Sequence, residues 1–252
     1  MRALPFCCAL LLHVAARASA PGQAPVVEVD HLYVVVPRGA QAEIAALRAH
    51  GFFVDTTINR HTGYGTASVA VLFENAYLEL LWLDPDVELA PEHEGRTDTL
   101  RRATQWRTSG VSPFGIGLRR IDGDTGVLPV PVHRDSAEYL APGEAYEVLN
   151  QAADSMAADL FVLPQSRAVP SWVERAKARF PQLFEHAGGG RLVTHVWLAG
   201  PAAQRPVALA TLAPRGLETR QADSALVELQ LDGGRRGERI DLRPLLPVII
   251  VR

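Results

Sequence analysis

Two side chains stand out for the chemistry they allow: His31 in Val29-Asp30-His31-Leu32-Tyr33-Val34-Val35-Val36-Pro37 and Glu79 in Tyr77-Leu78-Glu79-Leu80-Leu81-Trp82. A carboxylate in a mostly apolar run must be hydrogen-bonded, ion-paired or coordinated if it is buried. Both runs are rich in β-branched, aromatic and aliphatic residues, so both read as strands. Alternation in a strand puts His31 on one face with Val29, Tyr33 and Val35, and Glu79 on one face with Tyr77 and Leu81. The expectation is that the two strands meet in one sheet and that His31 and Glu79 hold one metal ion.

A second histidine and glutamate occur late in the chain. His195 lies in Arg191-Leu192-Val193-Thr194-His195-Val196-Trp197-Leu198-Ala199, and Glu228 in Ala225-Leu226-Val227-Glu228-Leu229-Gln230-Leu231, where Val227, Leu229 and Leu231 share one face and Glu228 takes the other. The spacings differ, 48 residues (79 minus 31) against 33 (228 minus 195), so any internal duplication is inexact. Arg60, His61 and Tyr64 surround a glycine-rich turn and are candidates for a lid over a binding cleft. Glu92-His93-Glu94 looks like a ligand set, but it lies in a Pro-flanked polar loop and reads as solvated. His50, His133 and Arg235-Arg236 read as surface features.

These residues must be positioned by the elements around them. After the first strand, Ala40, Ile44 and Leu47 fall at helical spacing and Gly51 is placed to end a helix. A short strand at 52–54, turn chemistry over 59–66, a strand at 67–73, a tight turn at 74–76 and a strand at 77–83 follow. The order is strand, helix, strand, strand, strand. One such unit leaves a sheet face bare and needs a second unit. Two segments compete for that place. The middle offers helices at 97–108 and 171–180 and strands at 114–120, 143–149 and 159–163; the late segment offers the strands of His195 and Glu228 with a short helix in 201–213.

The first twenty residues differ from the rest: Arg2 is followed by a largely apolar stretch from Leu4 to Val14 and by Ala18-Ser19-Ala20, the pattern of a cleaved secretory signal. Cleavage near Ala20 would give an exported chain, periplasmic or secreted. Both cysteines, Cys7 and Cys8, fall inside that segment, so the mature chain would have no disulfide to rely on. Removing Arg2 and Arg17 leaves 23 basic against 28 acidic residues. With 48% hydrophobic and 21% charged residues and no long basic run, the composition is that of an ordinary globular protein and does not point to nucleic acid. No later apolar stretch approaches the ~20 residues of a membrane span.

Asp30-His31 opening a strand that closes at Val36-Pro37, the helix ending at His50-Gly51-Phe52, the Gly63-Tyr64-Gly65-Thr66 loop and Tyr77-Leu78-Glu79-Leu80-Leu81 together resemble the glyoxalase-like group of the vicinal oxygen chelate superfamily. His186-Ala187-Gly188-Gly189 also resembles a loop seen there. The resemblance covers residues 28 to 83 best. It implies an α+β fold in which paired βαβββ modules form an open, barrel-like mixed sheet around a central cleft, with a first module at about 26–84, a middle segment at 85–189 and a late module-like segment at 190–252.

It further implies a divalent metal, Zn, Fe, Ni, Mn or Co, with His31 and Glu79 on the matching positions, and His195 and Glu228 as well if the late segment is the partner module. If the middle segment is the partner, 114–120 and 159–163 offer no matching ligand. The metal would stabilise an oxyanion on a small substrate chelated through neighbouring oxygens, and a detachable carboxylate, Glu79 or Glu228, would act as base in lyase, isomerase or dioxygenase chemistry. Arg60, His61, Tyr64 and Tyr77 would touch the substrate. The alternative is a metal-free, non-catalytic protein that binds a small molecule between walls of Tyr33, Phe73, Tyr77, Trp82 and Trp197. The same likeness admits a homodimer.

Overall fold

In a computed structural model, residues 25–121, 126–149 and 156–252 are described, so the expected signal segment, residues 1–20, lies outside them. The chain runs β1 (Val27–Val35), α1 (Gln41–Ala49), β2 (Asp55–His61), β3 (Thr66–Leu72), β4 (Tyr77–Leu83), α2 (Glu94–Ala103), α3 (Trp106–Ser109), β5 (Phe114–Arg120), β6 (His133–Asp135), β7 (Tyr146–Val148) and β8 (Asp159–Val162). It continues with α4 (Val173–Arg179), β9 (Val193–Gly200), α5 (Ala208–Leu212), β10 (Leu217–Gln221), β11 (Leu226–Leu231), β12 (Arg239–Asp241) and β13 (Val248–Val251).

Eight strands form one open mixed sheet in the order β2-β3-β4-β1-β5-β8-β7-β6. Its halves correspond: β1 lies parallel to β4, β5 lies parallel to β8, and β1 and β5 join the halves antiparallel. The partner of the first module is therefore the middle segment. The late segment builds a separate five-stranded sheet, β10-β9-β11-β13-β12. One hydrophobic core joins the two sheets, with Val27, Leu32, Val34 and Ile116 from the first packed among the same buried cluster as Val196, Leu198, Val227 and Leu229 from the second. The late segment thus covers the back of the eight-stranded sheet.

That packing corrects the expectation for His195 and Glu228. Because Val196, Leu198, Val227, Leu229 and Leu231 are buried in the shared core, strand alternation turns His195, Trp197 and Glu228 to the opposite face. His195 lies 3.6 Å from Glu218, and Glu228 pairs with Arg239. Neither reaches His31 or Glu79.

A second correction concerns β1. The pairing of β1 with β5 shifts register between Val29 and His31, a bulge centred on Asp30. Val27 and Val29 consequently share the core with Leu32, Val34 and Val36, while Tyr33 and Val35 belong to a separate cluster on the other side. His31 therefore does not share the face of Val29. The bulge lets a mostly apolar strand bury Asp30 on one side and turn His31 to the other.

The strand expected at 52–54 is irregular, and Asp55–His61, read partly as a turn, is an exposed edge strand instead. Its sequence Asp-Thr-Thr-Ile-Asn-Arg-His lacks apolar alternation because neither face is packed into the core.

The His186 loop latches onto the first module. Its Nδ1 accepts from the Phe53 N–H (3.1 Å), its Nε2 donates to the Leu72 carbonyl (3.0 Å), and Gly188 N–H donates to the Gly51 carbonyl (3.3 Å). Gly51 has φ +80°, and a Cβ there would lie 2.7 Å from the Gly188 nitrogen, so both the helix stop and the contact need glycine. Burial holds the His186 imidazole below its ordinary range, opposed by its bond to Leu72 and helped by Arg252. An unfolded histidine titrates near ~6.5, so with a depressed folded value its contribution is complete above that pH and is lost as the pH falls toward the folded value. Denaturant unfolding at a series of pH values is expected to show wild-type stability declining below about pH 6.5, with a smaller slope in His186→Gln. Equal slopes in the two proteins would refute this assignment.

Candidate functional site

The concave face of the eight-stranded sheet encloses a cavity of about 620 Å3. This falls within the ~300–1,000 Å3 of ordinary small-molecule sites. β1 contributes His31 and Tyr33, β4 contributes Tyr77, Glu79 and Leu81, and the polar edge strand β2 contributes Asp55, Thr57, Asn59, Arg60 and His61. The second module adds Tyr139, Tyr146, Val148, Phe161 and Leu163.

Register explains the meeting of His31 and Glu79. In the parallel pair β1/β4, His31 sits beside Tyr77 and Tyr33 beside Glu79, so the two donors are one diagonal step apart on the same face. His31 Nε2 stands 3.9 Å from one oxygen of Glu79, and His61 Nε2 stands 3.5 Å from the other. The carboxylate is thus flanked by two imidazoles, one on each oxygen. Glu79 is only 7% exposed. Among the described residues no lysine or arginine is within ion-pair distance of it.

His31 is held on every side. Its Nδ1 donates to Asp30 Oδ1 (3.1 Å), its ring stacks on Tyr77 at 4.4 Å, and the edge of Phe161 lies 5.6 Å away. The bond from Nδ1 to Asp30 turns Nε2 toward Glu79. Asp30 is fully buried and also accepts from Val169 N–H (2.7 Å) and Arg119 Nη1 (3.4 Å). Burial depresses His61, with Glu79 opposing that and Arg96 and His31 adding to it, so its imidazole is neutral near pH 7. Its Nδ1 then donates to Thr66 Oγ1 (3.0 Å) and its Nε2 accepts from the Asn59 amide (2.8 Å).

The two modules contribute unequally. Across the seam His31 pairs with Gly117 and Tyr33 with Gly115. A Cβ at Gly117 would lie 2.2 Å from His31 Cε1, and one at Gly115 2.0 Å from Tyr33 Cε1. The glycines of β5 give up their side-chain space so that β1 can lay its rings over them. The alternation Phe114-Gly115-Ile116-Gly117-Leu118 is the sequence signal of this close approach, and it was not among the candidate site features. Gly117→Ala is expected to cost about 1–3 kcal/mol through overpacking. That loss opposes the usual small gain from Gly→Ala, and thermal unfolding measures it. An unchanged or higher Tm would show that the seam has slack.

Arg60, His61, Tyr64 and Tyr77 all line the cavity. Of the expected apolar walls, Tyr33 and Tyr77 face it, Phe73 and Trp82 lie in the core behind it, and Trp197 is on the far face of the second sheet. His93, read as solvated, is buried: its ring stacks on Tyr64 at 4.1 Å, and its nitrogens reach the Gly63 carbonyl (2.8 Å) and Asp135 (2.9 Å). Tyr64 donates to the other oxygen of Asp135 (2.9 Å). This ties β6 of the second module to the glycine-rich turn and closes one end of the cavity. Glu92 and Glu94 are exposed.

The cavity-facing residues of the second module carry no histidine or carboxylate. Among the described residues no group of three or more His, Cys, Asp or Glu side chains is gathered as a metal centre. The two donors that could share a cation are His31 Nε2 and the nearer oxygen of Glu79, both buried.

The open eight-stranded mixed sheet with two corresponding halves is consistent with a glyoxalase-like fold. Residues 29–122 match the family model described as a glyoxalase-like domain. A hypothetical protein from Staphylococcus aureus has a similar fold, with a TM-score of 0.52, 11% identity, and 89% of this chain and 99% of that chain covered. No curated protein matches the chain. Among the described residues no helix is long and apolar enough to cross a membrane.

Proposed function

We propose that the chain is a metal-dependent enzyme of the vicinal oxygen chelate type that acts on a small oxygenated molecule in the cavity. The supporting observation is Glu79: a buried carboxylate with imidazoles against both oxygens and no cationic side chain in reach. Such a group is costly to bury unless it receives a cation or a proton. His31 and Glu79 would hold the divalent ion, Zn, Fe, Ni, Mn or Co, and the ion supplies Lewis-acid stabilisation of an oxyanion on the substrate.

The chain's own residues do the rest. Asp30 fixes the His31 tautomer through Nδ1. Glu79 is placed to accept a proton from a carbon next to the substrate oxygen, and His61, held by Asn59 and Thr66, lies against its other oxygen. Tyr77, Tyr146 and Phe161 pack the substrate and keep water from the floor. The reading covers lyase and isomerase reactions that begin with such a proton transfer, and it extends to dioxygenase-type chemistry. His195 and Glu228 take no part.

A second reading, a metal-free binding protein, is favoured by the Gly117, Phe161 and Leu163 side of the cavity, which offers no ligand. Elemental analysis of purified protein before and after chelator separates the two. The enzyme reading expects one divalent ion per chain, lost in His31→Ala. A chain that carries no ion after incubation with each of the five metals would leave only the binding protein. Export belongs to the same proposal and predicts a secreted product starting near Pro21, checked by N-terminal sequencing.

A further inference from the structure

The cavity's rim and floor carry opposite charge. At the rim stand Arg60 on β2, Arg167 after β8 and Arg175 on α4, and all three are exposed at the cavity. Among the described residues none of the three has a carboxylate within ion-pair distance. Arg96, by contrast, is spent on Asp159 (2.7 Å). Arg167 is already oriented: its guanidinium donates to the Tyr139 carbonyl and lies over the Tyr139 ring at 5.4 Å. Beside it Trp172 tilts against Tyr77 at 6.3 Å, continuing the aromatic wall that runs down to Phe161 and His31.

Three unpaired guanidinium groups around one concavity are unexpected in a chain whose formal net charge is −3. A planar guanidinium fork matches a carboxylate with two parallel hydrogen bonds, and a low-dielectric cleft focuses its field on an entering anion. An aromatic wall between such a rim and a polar floor suits a flat, ring-bearing body.

We propose that the cavity selects ring-bearing carboxylates, with the carboxylate held at the rim by Arg167 and Arg175, assisted by Arg60, and the ring lying along Trp172 and Tyr77 toward Glu79. This rests on the reading of the cavity as the functional site, and it does not depend on a metal. The orientation directs the end of the ligand remote from its carboxylate onto the His31–Glu79 floor, so the molecule carries its reactive oxygens there.

The test is calorimetric titration of the full chain with naphthoate and with its uncharged analogue naphthamide, in the presence of EDTA. Naphthoate is expected to bind at least about tenfold more tightly, a preference of ~1.4 kcal/mol. The double variant Arg167→Gln/Arg175→Gln is expected to bring the two probes within about threefold of each other while naphthamide binding is retained, showing that the site still folds. Arg60→Gln is expected to reduce the preference by a smaller factor. Equal binding of both probes by the wild type, no binding of either, or a preference that survives the double variant would overturn the proposal. So would a preference seen only without EDTA, since the anion would then be on a metal. Failure to find a metal leaves the outcome of this test untouched.

Discussion

Asp30→Ala is expected to lower the unfolding free energy by about 3–5 kcal/mol, the cost of breaking a buried ionic pair by removing one partner. Asp30 has no exposed surface and accepts from His31, Arg119 and the Val169 backbone. Removing it strands the Val169 N–H and the His31 Nδ1–H away from water. Arg119 keeps Glu28 (2.8 Å) and the Asn75 carbonyl (2.8 Å), and Glu28 also pairs with Arg215 at the start of the second sheet. The deleted group therefore sits in a network that fastens both sheets at the bulge of β1. Chemical denaturation measures the loss, and Asp30→Asn, which keeps the shape and part of the hydrogen bonding, should lose less. An alanine variant within about 1 kcal/mol of wild type would mean that water replaces the carboxylate and the network is not what secures the bulge.

The second large effect is expected on binding of the proposed metal. Glu79→Gln keeps the shape of the side chain and removes its charge. Affinity for Mn2+ or Zn2+ is expected to fall by more than about 100-fold, since losses of ~10–100-fold follow even from changing groups behind a ligand. Asp30→Asn, acting through His31, is expected to fall inside that smaller range. Stability should move the other way: Glu79 is buried without a cationic partner, so its neutral amide should unfold no more easily than wild type and at a somewhat higher Tm. A metal-binding titration and a thermal melt on the same two proteins read both effects. Unchanged metal affinity in Glu79→Gln would remove the carboxylate from the site, and a large drop in Tm would make it a structural group instead.

Much of this was legible in the sequence where one local pattern sufficed. Phe114–Arg120 and Tyr77–Leu83 are strands with the bounds expected, because their apolar faces are buried and local periodicity reports burial. The helix ending at Gly51 follows from a positive φ that glycine tolerates. β2 and the short strands β6, β10, β12 and β13 were not read. β2 is polar because it forms the open edge that the cavity uses, and β6 and β12 span only three residues each.

The face His31 takes was decided by the bulge at Asp30; the strands that carry His31 and Glu79 were set by the amino-acid order alone, because their apolar patterning is a local property. Which segment pairs with the first module was not, because two distant stretches offered equally good strands and only long-range packing chooses between them. That packing sent the late strands behind the sheet, where burial of Val196, Leu198, Val227 and Leu229 turns His195 and Glu228 away. It also set two glycines under His31 and Tyr33, and gathered Arg60, Arg167 and Arg175 from separate parts of the chain around one opening. The one-sided floor and the basic rim are consequences of chain closure, for which no local pattern exists.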